Sequence, residues 1–131
     1  MKVLALDYGS ARTGVAVSDP TGTVARPVGV VERAATDAGL ARLAELVRAE
    51  NPERIVVGLP LTLRGDRGEQ AIETERFVEA LRAAVDVPIE SFDERFTTSL
   101  ASQTGSHSSE DARAAAHLLT SYLAWRSSRT S

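Results

Sequence analysis

The chain has 131 residues, of which 43% are hydrophobic and 25% charged, with a formal net charge of −3 and no cysteine. Length and composition predict one globular domain over residues 1–131, and the lack of cysteine excludes a disulfide framework, a thiol nucleophile and a thiolate metal site. The acidic balance argues against nucleic-acid binding through bulk positive charge, and no apolar run approaches the about 20 residues of a membrane span, so we expect a cytoplasmic protein.

The first predicted element is a strand that ends in a carboxylate. An apolar run at positions 3–6 precedes Asp7, and two glycines then lead into a second apolar stretch, which indicates strand, turn and strand over residues 2–19. An ionised carboxylate in a sheet must be paired, hydrogen-bonded or bound to a metal, because it is costly to desolvate alone. Asp7 therefore either caps the turn or belongs to a cation site.

The rest of the chain alternates predicted strands and helices. Hydrophobic periodicity, bounded by Gly, Pro and polar clusters, predicts strands at 23–31, 55–59 and 88–92, and helices at 37–50, 69–85, 97–103 and from about 110 onwards. Pro27 favours an edge strand or a bulge, and Thr36 is suited to cap the first helix. The apolar face of the second helix is expected to contain Ile72, Phe77, Leu81 and Val85. This order predicts a mixed sheet covered by helices, an α/β sandwich.

Three acidic positions fall where such a fold could bring them together. Asp7 ends the first strand, Asp93 and Glu94 follow the last one, and Asp111 is expected in the first turn of the last helix, where the helix dipole favours a carboxylate. Parallel first, fourth and fifth strands would end at one edge of the sheet, where α/β folds place ligands. Each acid alone also fits a cap or a surface ion pair. Together they predict a site for Mg²⁺ or Mn²⁺.

Four motifs in order resemble the YqgF/RuvX family. They are LALDYGSARTGVAVSD at 4–19, VGLPL at 57–61 with Gly65 and Gly68, DERFTT at 93–98, and Asp111 with Ala114-Ala115 and Ser121-Tyr122. The resemblance runs nearly end to end. It implies an RNase H-like fold with a mixed five-stranded sheet flanked by helices. It also implies a nuclease that processes the precursor of 16S ribosomal RNA, with Holliday junction resolution as the rival assignment.

The resemblance also implies roles for individual residues. Asp7, Glu94 and Asp111 would hold two divalent ions, which activate water and stabilise the leaving oxygen. Strand alternation does not decide between Asp93 and Glu94. We prefer Glu94 as the metal ligand and keep Asp93 as a supporting or substitute ligand. The candidates for phosphate binding are Arg12, Arg95, Arg64, Arg67 and Thr97, for which surface ion pairs and helix capping are the alternatives.

Two departures from the family pattern bear on the substrate. Ala11 stands where the family usually has Lys, and residues 103–110 are nearly neutral where the family is basic. These departures predict weak nucleic-acid affinity and keep open a weakly active binding module. A phosphotransferase would need a second domain that 131 residues can hardly hold. The expected partner is precursor rRNA or branched DNA, with ribosome association as a further option, no membrane, and a chain that is a monomer or a weak homodimer.

Overall fold

The computed structural model describes residues 1–61, 64–94 and 107–130, which form five strands and three helices. The strands are β1 (Val3–Asp7), β2 (Arg12–Ser18), β3 (Ala25–Glu32), β4 (Arg54–Leu59) and β5 (Ile89–Asp93), and the helices are α1 (Asp37–Glu50), α2 (Glu69–Ala84) and α3 (His107–Thr130). The short helix expected at 97–103 lies outside the described residues. Within the three described ranges, no helix combines the length and the apolar character that crossing a membrane requires.

All five strands belong to one mixed sheet in the order β3-β2-β1-β4-β5. The hairpin strands β1, β2 and β3 pair antiparallel, whereas β1, β4 and β5 run parallel. The predicted mixed five-stranded sheet is therefore confirmed. Its functional consequence is that the carboxyl ends of β1, β4 and β5 meet at one edge, the edge at which sequence reasoning expects the acids.

The sheet separates two apolar clusters, and the alternation of side chains in β1 contributes to both. Leu4 and Leu6 pack with α1 and α2, whereas Val3 and Ala5 pack under α3. All four side chains are buried, which accounts for a strand without polar residues before Asp7. Burial of a side chain such as Leu4 contributes about 1.5–3 kcal/mol, so these contacts fix β1 and with it the position of Asp7.

The ends of α1 follow from local sequence. Thr36 is extended at the N-cap, and its hydroxyl oxygen accepts a hydrogen bond from the Gly39 N–H at 3.1 Å. Asn51 closes the helix in the left-handed conformation, with φ of 52°, and Pro52 follows it. Both predicted boundaries are confirmed, because capping and chain termination depend on residues that are adjacent in sequence.

Helix α2 ends one residue earlier than predicted, and Phe77 and Leu81 of its expected apolar face are buried, whereas Ile72 is not. Ile72 is 38% exposed, so its prediction as a core residue is wrong. The face that meets the sheet consists of Ala71, Thr74, Phe77, Val78 and Leu81. Ile72 follows Ala71 by one residue, which rotates it about 100° around the helix and away from the sheet.

Strand β3 forms one edge of the sheet, as Pro27 predicts. The pairing with β2 shifts between Val15, which faces Gly29, and Ala16, which faces Pro27, so that Val28 is an extra residue in β3. Pro cannot donate to a ladder, and an extra residue bends the strand. Edge position and bulge are thus both present at the same place.

Candidate active site

Asp7 lies at the carboxyl end of β1, on the face of the sheet that α3 covers. It is the last residue of the strand and pairs with Gly14 of β2. It shares its face with Val3 and Ala5, which belong to the cluster under α3. The carboxyl group of Asp7 is therefore held between the end of the sheet and the beginning of the last helix.

Glu94 lies on the same face as Asp7. In the parallel pairing of β4 with β5, Gly58 faces Phe92 and Leu59 faces Asp93. Phe92 belongs to the cluster under α3, so strand alternation places Asp93 on the other side of the sheet. Glu94 follows the strand, and its side chain lies where a Cβ atom of Gly58 would point, on the face that Gly58 shares with Val56 of the cluster under α3. The pairing register thus favours Glu94 over Asp93, which sequence alternation alone left undecided.

Gly58 makes room for the side chain of Glu94. A Cβ atom at position 58 would lie 2.9 Å from Cγ, 3.0 Å from Cδ and 3.1 Å from Oε2 of Glu94. These distances are shorter than ordinary van der Waals contacts. Any larger residue at position 58 would displace the Glu94 carboxylate.

Asp111 reaches the site from α3, and its location in the helix differs from the predicted one. The described part of the helix starts at His107, with Glu110 as the acid of its first turn and Asp111 after that turn. The prediction that Asp111 belongs to the first turn is therefore wrong, because Ser108 and Ser109, which resemble a loop in sequence, are already helical. A Cβ at Gly14 would overlap the backbone carbonyl oxygen of Asp111, so glycine lets the helix backbone approach β2 closely.

Asp7 interacts electrostatically with both of the other acids, Asp111 and Glu94. Burial, followed by repulsion from Asp111, raises the pKa of Asp7 to about 6. Burial, followed by repulsion from Asp7 and then from Asp93, raises the pKa of Glu94 to about 7. Both carboxyl groups thus carry an energetic penalty when they ionise near neutral pH. In the part of the chain that the structure describes, no three His, Asp or Glu side chains are already arranged around a single ion position.

Arg12 provides a positive charge beside these acids. It is the first residue of β2, and its Nε donates a hydrogen bond to Oδ2 of Asp111 at 2.7 Å. Sequence reasoning assigned Arg12 to substrate phosphate and did not identify Asp111 as its partner. The two residues are 99 positions apart, and no local pattern indicates the pair.

Of the other arginines predicted to contact phosphate, two pair with acids of the chain and one lies outside the described residues. Arg64 is largely exposed and lies 3.9 Å from Asp66, whereas Arg67 donates from Nε and Nη2 to Glu75 at 3.0 and 2.6 Å. Both have an acidic partner within the chain. The remaining two predicted contacts, Arg95 and Thr97, lie outside the described residues.

Tyr8 supports the end of β1 from the opposite face. Its ring stacks on Phe77 of α2 at a centroid distance of 4.5 Å, and its hydroxyl donates to Glu73 at 2.8 Å. Burial and this hydrogen bond raise the pKa of Tyr8 to about 12. Sequence reasoning assigned no function to Tyr8, Gly14 or Gly58. A glycine inside a strand marks a close approach, which is the signal that could have identified the two glycines.

Comparison with known proteins bears on both the fold and the family. A sequence profile for RuvX, described as Holliday junction resolvase, matches residues 1–125. A protein of Chloroflexus aggregans named "Putative pre-16S rRNA nuclease" is 44% identical over 101 residues, which cover 77% of this chain and 71% of that protein. A protein of the same name from Syntrophomonas wolfei is 35% identical over 132 aligned positions, covering 94% of each chain.

Among solved structures, RuvC of T. thermophilus in complex with Holliday junction substrate is similar with a TM-score of 0.64. The two chains are 21% identical, and the similarity covers 97% of this chain and 96% of that one. A second structure of Thermus thermophilus RuvC gives a TM-score of 0.63 at 19% identity. The predicted RNase H-like fold is confirmed by this similarity.

Proposed function

The chain belongs to the RuvX family of Holliday junction resolvases, and we propose that it is a nuclease that hydrolyses phosphodiester bonds with the help of divalent metal ions. The observation that carries the proposal is the electrostatic coupling of three carboxylates at one edge of the sheet. Beyond burial, Asp111 contributes to the raised pKa of Asp7, and Asp7 contributes to that of Glu94. Buried like charges of this kind favour a bound cation at neutral pH.

The chemistry of these side chains fits Mg²⁺ or Mn²⁺, because both ions prefer carboxylate oxygens. Asp7, Glu94 and Asp111 would hold two ions, and Asp93, on the other face, would serve only as a substitute. When bound, such ions supply a water of lowered pKa and stabilise charge on the leaving oxygen. The protein contributes the position of the acids, since Gly14 holds the backbone of Asp111 against β2 and Gly58 admits the side chain of Glu94.

Arginines around this edge would hold the phosphates of the substrate. Arg64 and Arg67 lie between β4 and α2, and their side chains are 89% and 61% exposed. Their ion pairs with neighbouring acids are worth under about 1 kcal/mol each, so a phosphate can replace the carboxylate partner. Arg95 and Thr97 are proposed as further contacts on the strength of the sequence motif alone.

For the substrate, we propose the precursor of 16S ribosomal RNA, since relatives over most of the chain carry that assignment in their name. Processing of this RNA would place the protein in the cytoplasm and in contact with assembling ribosomes. The second candidate is branched DNA, which is favoured by the family description and by the likeness to RuvC. Three carboxylates at a metal site suit either substrate, because the phosphodiester is the same.

The test is cleavage of a panel of substrates by purified protein with and without divalent metal. The panel holds a precursor 16S rRNA fragment, an unrelated single-stranded RNA and a four-way DNA junction. We expect cleavage of the rRNA fragment in Mg²⁺ or Mn²⁺, little in Ca²⁺ because its looser coordination misplaces the attacking water, and none in excess EDTA. Full activity in EDTA would contradict the mechanism, and cleavage of the junction alone would select the second candidate.

Two adjacent acids provide a matched pair of variants for the same assay. Glu94→Gln should reduce cleavage by about 10²-fold or more, because it removes a charged ligand from the face of Asp7. Asp93→Asn makes the same change in charge one residue away and should retain most activity, since Asp93 belongs to the opposite face. The reverse result would assign Asp93 as the ligand.

A further inference from the structure

The ion pair between Arg12 and Asp111 engages one carboxylate oxygen of an acid in the proposed metal site. Nε of Arg12 donates to Oδ2 of Asp111 at 2.7 Å, and the two side chains are 40% and 30% exposed. A carboxylate oxygen that accepts a charge-assisted hydrogen bond at this distance is engaged with its donor. Arg12 therefore acts as the counter-ion of Asp111 in the metal-free protein.

The backbone around this pair limits how it can rearrange. The carbonyl of Asp111 packs so closely against Gly14 that there is no space for a Cβ atom between α3 and β2. Arg12 lies in the same strand as Gly14 and pairs with Glu32 of β3. Arg12 and Asp111 belong to the regular elements β2 and α3, so rotation of the two partly exposed side chains is the simplest way for the pair to separate.

We propose that Arg12 competes with a divalent cation for Asp111 and is released when the cation binds. The released guanidinium remains at the edge of the site, where its planar fork suits a substrate phosphate. Loading of the cation would thus expose the residue that holds the substrate. This inference rests on the proposed function, because it requires that the acids bind metal.

If Arg12 stayed on Asp111 after the cation bound, removal of Arg12 would have the opposite effect on metal affinity. If Asp111 bound the cation through Oδ1 and kept Oδ2 on Arg12, the arginine would hold the carboxylate in its ligating orientation. Removal of Arg12 would then weaken metal binding. Competition therefore predicts that removal of Arg12 strengthens metal binding, whereas preorganisation predicts that it weakens metal binding.

The first experiment is calorimetric titration of Mn²⁺ into metal-free protein. An exposed ion pair is worth up to about 1 kcal/mol, so Arg12→Ala should tighten the Mn²⁺ dissociation constant by about two- to fivefold. Arg12→Gln, which keeps most of the side-chain volume, should do the same and serves if the alanine variant does not fold. The control is Arg82→Ala, which removes the same charge and a similar pair, from Nε to Glu79 at 3.1 Å, on the outer surface of α2.

The second experiment observes the contact itself. The ¹⁵N signal of Arg12 Nε, assigned by its loss in Arg12→Lys, should change toward that of a solvated arginine when diamagnetic Mg²⁺ saturates the wild-type protein. An unchanged signal at saturation would overturn the inference, as would unchanged or weaker Mn²⁺ binding by both Arg12 variants. If Arg82→Ala tightened Mn²⁺ binding equally, the effect would come from net charge alone, and the inference would also be overturned. Failure of the wild-type protein to bind Mn²⁺ would instead refute the proposed function.

Discussion

Asp7→Asn should stabilise the metal-free protein at neutral pH while it removes metal-dependent cleavage. Burial, followed by repulsion from Asp111, raises the pKa of Asp7 from 3.8 to about 6. Because the native state binds the Asp7 proton more tightly than the unfolded chain does, the native state loses stability as pH rises from 3.8 to about 6. Above the higher value, the full penalty of ionising Asp7 is present. At pH 7.5 the ionised carboxylate of Asp7 therefore opposes folding.

The size of the effect follows from the size of the rise in pKa. Each pKa unit corresponds to about 1.4 kcal/mol, so the rise to about 6 corresponds to about 3 kcal/mol of unfolding free energy. Asp7 keeps some contact with solvent, which screens the repulsion. We therefore expect Asp7→Asn to gain about 1–2 kcal/mol, because asparagine keeps the shape of the side chain and loses its charge.

The assay is urea unfolding in EDTA, followed by fluorescence of Trp125, the single tryptophan of the chain. Asp7→Asn should be more stable than wild type at pH 7.5, and this gain should fall toward zero at pH 4. Asp86→Asn, which changes an exposed acid between α2 and β5, is the control and should change little at either pH. Equal stability of wild type and Asp7→Asn at pH 7.5, or a gain that does not depend on pH, would refute the electrostatic argument.

Two glycine substitutions extend the same reasoning to the geometry of the site. Gly58→Ala should lower cleavage by about tenfold with little loss of stability, because the three atoms nearest to the added Cβ all belong to the flexible side chain of Glu94. Gly29→Ala, whose Cβ meets nothing within 4 Å, is the control in parallel kinetic assays. Gly14→Ala should lower the unfolding free energy measured in urea by about 1–3 kcal/mol, because its Cβ would overlap the backbone of Asp111, which cannot rotate away. Near-wild-type stability of Gly14→Ala would show that α3 can shift.

The features of the fold that sequence predicts correctly are those that local chemistry determines. The run before Asp7, the cap at Thr36 and the break at Asn51 each depend on neighbouring residues. Pro27 indicates an edge strand because proline lacks the N–H that a central strand would need. The prediction for Ile72 is an error at a single position, since Phe77 and Leu81 of the predicted apolar face are buried, whereas Ile72 is rotated away from the sheet.

The features that sequence does not predict depend on how distant segments pack. The partner of Arg12 lies 99 residues away on another element, and no spacing rule connects the two. The choice between Asp93 and Glu94 depends on which residue of β5 pairs with Gly58, because a shift of one residue would exchange their faces. Register is a property of the assembled sheet, so sequence alone does not determine which of the two acids shares a face with Asp7.

The two glycines of the site explain why these strands depart from the usual preferences of a sheet. Glycine inside a strand costs roughly 0.5–1 kcal/mol relative to alanine, yet Gly14 and Gly58 lie in buried parts of β2 and β4. Each position gives space to an acid of the proposed metal site, the backbone of Asp111 in one case and the side chain of Glu94 in the other. The penalty for ionising Asp7 has the same direction, since it also opposes folding. Local costs that converge on one edge of a sheet indicate that the arrangement of this edge serves binding and chemistry rather than stability.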